Sequence, residues 1–267
     1  MPGIDRPDFK DRRDFIKSAG LAATGFAALP LLGCGTQSRM SLDQGGESNP
    51  LAIPRLQAGT IERGERVFRL SLTPGEKEFV PGTASPTIGI DASYLGPTLE
   101  MRRGEQVRFH IDNKLAEDAT VHWHGFELPA TADGGPHQLI RPGERWSPSF
   151  EIRQRASLYW YHSHLHRRAG PQVYTGLAAP IYVRDEEEDR LDLPSRYGVD
   201  DIPLVVQDRV IDGAGRLVYP LDMHSRMMGV MGERIYVNGT ANAVFEAAAG
   251  PLRLRLLNGS NARFYTF

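Results

Sequence analysis

The chain has 267 residues, with 31 Lys and Arg against 33 Asp and Glu and a formal net charge of -2. That balance excludes a strongly basic nucleic-acid binder and a self-repelling acidic tail, and a hydrophobic share of 40% fits a globular protein rather than a membrane bundle. The single cysteine excludes an intramolecular disulfide, and the length allows one or two domains.

Arg12 and Arg13, followed by Phe15 and Lys17, precede an apolar run from Ala19 to Leu32. The run is shorter than the about 20 residues that span a bilayer and lacks core-like periodicity. Paired arginines, an aromatic residue, a lysine and a short apolar region resemble a twin-arginine export signal, read here as residues 1–34. Leu31-Leu32-Gly33-Cys34 resembles a lipoprotein cleavage box, which would leave Cys34 as a lipidated first residue. Cleavage nearby by an ordinary signal peptidase is the alternative. Either way the expected destination is the periplasm or cell envelope, with membrane contact only through an N-terminal lipid anchor.

Residues 35–52 are polar and Gly-rich and read as a linker. From 53 to 184 the pattern is strand, turn, strand. Val67–Leu72, Glu105–Ile111 and Leu177–Val183 are the clearest strands. Pro74-Gly75, Pro81-Gly82, Gly96-Pro97 and Pro142-Gly143 mark turns. Residues 185–200, with the charge run Asp185–Arg190 and Leu193-Pro194, read as an interdomain linker. A second β-rich segment fills 201–267, with strands at Ile202–Asp208 and Leu252–Leu257. It is about half of a sandwich domain of roughly 100 residues. No long stretch has helical periodicity, so the expected class is all-β, a sandwich or barrel.

Four of the eight histidines form two pairs, His122-Trp123-His124 and His162-Ser163-His164. Residues i and i+2 of a strand share a side, so each pair projects two imidazoles into one space. Neutral imidazole ligates copper, zinc, iron and nickel. A set with no thiolate or carboxylate favours copper over calcium or magnesium, and spacing alone leaves zinc open. His110 reads as a packing or surface residue and His137 as a loop residue. His166 shares the parity of His164 and reads as a surface or supporting group. His224 lies among Met223, Met227, Met228 and Met231, a set that could hold Cu(I) through thioethers but reads better as adaptable packing.

His122-Trp123-His124-Gly125-Phe126, Asp133-Gly134-Gly135-Pro136, Tyr159-Trp160-Tyr161-His162-Ser163-His164 and Gly176-Leu177-Ala178 closely resemble the first cupredoxin domain of the multicopper oxidases, which include laccases and bacterial cuprous oxidases. Val237-Asn238-Gly239 and Arg253–Asn258 resemble the opening of that family's second domain. The resemblance implies a cupredoxin-like Greek-key β-sandwich followed by a partial second cupredoxin-like domain. It implies a copper cofactor, with His122 as a type 2 ligand and His124, His162 and His164 as type 3 ligands. Asp133 matches an acidic residue that moves protons to reduced oxygen, and it is equally an Asp-Gly turn residue. The implied reaction couples one-electron oxidation of Cu(I), other metal ions or phenols to reduction of O2 to water. The partners are O2 and a small reductant or metal ion, with no nucleic acid.

The resemblance also implies a type 1 copper held by one cysteine and two histidines, in a His-Cys-His segment of the last domain. No such segment occurs, and Cys34 lies in the export segment. Half of the cluster ligands are therefore expected to be missing, and an incomplete chain that is inactive alone is the leading reading. A non-catalytic cupredoxin-like envelope protein and a copper- or zinc-binding module are the alternatives.

Overall fold

The computed structural model describes residues 46–267. The expected export signal, Cys34 and most of the first linker lie outside the described residues. Each run named above lies in a strand to within a residue at its ends, but the run at Val67–Leu72 continues to Val80, so Pro74-Gly75, expected as a turn, sits inside that strand, where the main chain stays extended and pairs with Ile88 and Thr87 of the neighbouring strand. Short strands β1 (Asn49–Pro50), β2 (Leu56–Gln57) and β3 (Thr60–Glu62) lead into the long β4 (Glu65–Val80) and β5 (Thr83–Ile90). Next come β6 (Thr98–Arg102), β7 (Gln106–Asn113) and β8 (His122–His124). β9 (Arg145–Trp146), β10 (Ser149–Glu151), β11 (Ser157–His162) and β12 (Ala178–Arg184) complete this region. The helix α1 (Ala169–Thr175) connects β11 to β12.

These strands form two sheets. One has the order β2-β6-β12-β11-β8, and the other has β10-β7-β4-β3 with β5 on β4 and β9 on β7. Along β7, Val107, Phe109 and Ile111 are buried at every second position, as a half-buried strand requires. Phe109 meets Trp123 of the facing sheet with ring centroids 4.1 Å apart, and it stacks on Phe68 at 5.1 Å. Leu99, Tyr161 and Ile181 close the same core. β12 is buried along nearly its whole length. One of its faces covers this core, and Ala178 on it belongs to a second buried cluster with Tyr94, Val205 and Tyr236.

The charge run after β12 is only partly solvated. It makes a helical turn, α2 (Glu186–Asp189), capped by the Asp185 side chain, which accepts from the Glu188 amide. Glu188 is buried. Beyond it a third sheet contains β13 (Asp201–Ile211), β14 (Leu217–Val218), β15 (Arg234–Val237) and β16 (Thr240–Ala241). β18 (Arg253–Asn258) pairs with β13 in parallel, and β17 (Ala243–Val244) pairs with β1. The helical turn α3 (Met223–Met228) carries the methionine cluster. Met223, Met227, Met228 and Met231 are exposed, contrary to the packing expected for them. A single surface turn capped by Asp222 has no core-facing stripe, and the chain turns inward only at Val230.

A buried ionic cluster joins β12, α2, β13 and β18. Arg255 makes a two-pronged contact with Asp201, Nε to Oδ1 at 2.6 Å and Nη2 to Oδ2 at 2.8 Å. It also donates to Glu188 at 2.9 Å and lies over the Tyr182 ring at 4.2 Å. Arg184 reaches Asp201 at 3.2 Å. Removing one member of a buried pair leaves an uncompensated charge and costs about 3–5 kcal/mol. Asp201→Asn should therefore lower the urea unfolding midpoint by an amount equivalent to about 3 kcal/mol or more, without changing the slope.

Candidate metal centre

β8 and β11 build the site. In β8 the middle residue, Trp123, points into the core and donates its indole N–H to the Ala132 carbonyl at 3.0 Å. Its neighbours His122 and His124 therefore face the other side. β11 alternates in the same way, with Tyr161 buried and His162 opposite. The two strands pair antiparallel, with His162 across from His122 and Trp160 across from His124. The result brings one ring nitrogen from each of His122, His124 and His162 within 4.8 Å of one another.

His164 joins this group from outside the strand. β11 ends at His162, so the strand parity used to pair His162 with His164 does not apply. The loop is shaped instead by side chains around it. The His164 amide donates to Thr120 Oγ1 at 2.7 Å, and Ser163 is buried against Gln172 of α1. Gln172 in turn donates to the Asp118 carbonyl at 2.8 Å. The His164 ring then lies 5.1 Å from that of His122 and 6.1 Å from that of His162. His137, His166 and His224 are exposed, and His110 meets Ser147 at 2.9 Å on a different strand.

Main-chain carbonyls set the tautomers. His122 Nδ1 lies 2.9 Å from the Asp133 carbonyl, and His162 Nδ1 lies 2.8 Å from the Ser163 carbonyl. A carbonyl only accepts, so each Nδ1 carries the proton and each Nε2 keeps its lone pair. His124 presents Nδ1 instead, 3.1 Å from His162 Nε2. One proton can bridge that pair, and a cation bound to both nitrogens would take its place. Burial holds His162 neutral, with its pKa lowered to about 3. Burial also lowers that of His124, with the neighbouring imidazoles adding to the effect. Converging imidazole nitrogens, with no thiolate or carboxylate among the three, fit copper or zinc.

Asp133 sits beside His122, with Oδ1 3.3 Å from Nδ1. The tighter contact is through its main chain. Gly134 makes that approach possible. Its φ is +72°, and a Cβ there would stand 1.7 Å from the Val121 carbonyl oxygen. One neighbour of the site was not singled out from sequence. Trp160 stacks on His162 with centroids 3.8 Å apart and planes at 21°, and it lies 5.1 Å from His124. The tyrosine and tryptophan run before His162 was the available signal, but it does not reveal which ring touches which.

Known proteins carry the same architecture. The family model described as multicopper oxidase matches residues 72–188. A cell division protein FtsP of Rahnella is 37% identical over 95% of this chain and 50% of its own length. The multicopper oxidase mco of Staphylococcus aureus is 35% identical over 84% of this chain and 49% of its own. The crystal structure of a laccase from Pediococcus acidilactici superposes with a TM-score of 0.76 at 36% identity, over 81% of this chain and 47% of that one. The chain belongs to the multicopper oxidase family. Its fold is accordingly all-β and cupredoxin-like, and copper is the metal the family implies. The chain spans about half the length of these relatives. Among the described residues no helix is long and apolar enough to cross a membrane.

Two outcomes follow from the geometry. Gly134→Ala should displace the Asp133 carbonyl and weaken copper binding by about 10-fold or more, whereas Asp133→Asn keeps that carbonyl and should change affinity little; competition with a chelator of known affinity measures both. In the metal-free protein, an unfolded histidine protonates below its ordinary value near 6.5 while folded His162 stays neutral to about 3. The contribution is full above pH 6.5 and is lost as pH falls toward 3. Thermal unfolding between pH 7 and pH 5 should show this decline, and His162→Gln should flatten it.

Proposed function

We propose that His122, His124, His162 and His164 are four ligands of a copper cluster in an exported multicopper oxidase. His122 would hold a type 2 copper, and His124, His162 and His164 would serve a type 3 pair. Bound copper supplies the one-electron steps by which four electrons reduce O2 to water. The chain's own residues do the rest. The Asp133 and Ser163 carbonyls orient imidazole Nε2 atoms, and burial keeps His162 deprotonated. The Asp133 carboxylate is placed to hold a proton beside His122. The observation that supports this reading most is the convergence of three ring nitrogens within 4.8 Å, with His164 alongside.

Residues 35–267 contain no cysteine, and oxygen reduction by a trinuclear cluster calls for further imidazoles and a thiolate-bound type 1 copper. The proposal for this chain is thus a half-site that works once a second ligand set faces it, accepting electrons from Cu(I), other metal ions or phenols. Export by the twin-arginine route, a location in the periplasm or envelope and lipidation at Cys34 belong to the same proposal. A second reading is a non-catalytic envelope role, favoured by similarity to cell division proteins along 95% of the chain.

Copper separates the two. Dialysis of the metal-free chain against Cu(II) should leave roughly one ion per chain, with nitrogen coupling in its electron paramagnetic spectrum and no intense blue thiolate absorption. His124→Ala and His162→Ala should each weaken binding. A chain that retains no copper after dialysis would overturn the oxidase reading in favour of the non-catalytic one.

A further inference from the structure

The pairing of β8 with β11 creates a square of four neighbouring side chains on one face of the sheet. His122 lies across from His162, and His124 lies across from Trp160. Three corners are imidazoles and the fourth is an indole. The indole is not merely adjacent. It lies nearly parallel to the His162 ring at 3.8 Å and 21°, and it covers the His124 ring at 5.1 Å and 34°. Trp160 is itself held from behind, since it packs against the buried cluster containing Tyr94, Val173 and Tyr236.

We infer that Trp160 is a positioning residue for the metal centre, a rigid aromatic wall that fixes the ring planes of His124 and His162. This rests on the reading of those imidazoles as copper ligands. The physical reason lies in the direction of the lone pairs. Imidazole nitrogen donates in the plane of its ring, so contact on the ring face restrains rotation without blocking the metal. The terminal torsion of histidine is broad and has no sharp rotamer of its own. A main-chain hydrogen bond anchors His162 at Nδ1, whereas His124 presents its Nδ1 to the site and has no such anchor on that atom. For His124 the indole face is therefore the main restraint on ring angle. The same face covers one side of the buried His162 ring.

The discriminating substitutions are Trp160→Phe, which preserves a flat stacking surface, and Trp160→Leu, which fills space without one. In the full chain, Trp160→Leu should weaken Cu(II) binding by about 10-fold or more and alter the nitrogen coupling in its electron paramagnetic spectrum, while Trp160→Phe should stay within about 3-fold of the parent. Trp160→Met serves as a second non-stacking variant if the leucine form does not fold. Carbon-13 relaxation of the histidine rings in the metal-free protein provides a readout independent of copper. The His124 and His162 rings should be rigid in the parent and the phenylalanine form, and mobile in the leucine or methionine form. Equal rigidity and equal copper affinity in a non-stacking variant would overturn the inference. If the parent bound no copper, the oxidase reading would fall, and the relaxation measurement alone would still decide the role of Trp160.

Discussion

The register between β8 and β11 is the constraint on which the rest of the site depends. A shift of one residue would turn one strand over relative to the other, sending either His122 and His124 into the core and Trp123 out of it, or His162 in and Tyr161 out. The observed register is held by those two aromatic side chains, both fully buried and stacked 6.0 Å apart between the sheets. Core packing thus selects the face on which the imidazoles stand. The geometry of the imidazole cluster is in this sense a by-product of where the large apolar rings fit.

Around that register, the protein surrounds polar rings with groups that each remove one freedom. The Asp133 and Ser163 carbonyls choose tautomers, Thr120 and Gln172 hold the loop that carries His164, and Trp160 covers two rings. These partners come from separate segments, and none would hold a metal alone. Such support usually governs affinity as strongly as the ligands themselves. The anchors lie within the same two-sheet body as the histidines.

The third sheet contributes through β12, which is shared between the two buried clusters. Arg255, Asp201, Glu188 and Arg184 lie along this junction with little solvent access. Their charges are paired with short, directional contacts, which is the condition under which buried ions can be tolerated. The charged run that reads in sequence as a solvated linker is thus tied into the junction through Glu188.

Much of the fold is legible in the residues alone. Period-two alternation marks β7, and continuous apolar runs mark β12 and β13, because a strand buried on one or both faces has few other patterns available. The two His-x-His pairs and the Asp-Gly turn also announce themselves, since imidazole spacing and turn chemistry are local properties. Alternation, however, says only which side chains share a side of their own strand. It does not say which strand lies next to it. His124 and His162 are 38 positions apart, and their contact exists because Trp123 and Tyr161 must share one core. The same holds for His164, placed by a loop rather than by strand parity, and for Trp160, whose partner across the sheet is set by register. The exposure of the methionine turn and the burial of Glu188 were likewise decided by what the third sheet left open or covered. Local residue chemistry specifies the candidate imidazole donors and the strand character; tertiary packing decides which rings meet, because non-local pairing is chosen by volume and burial across the whole core.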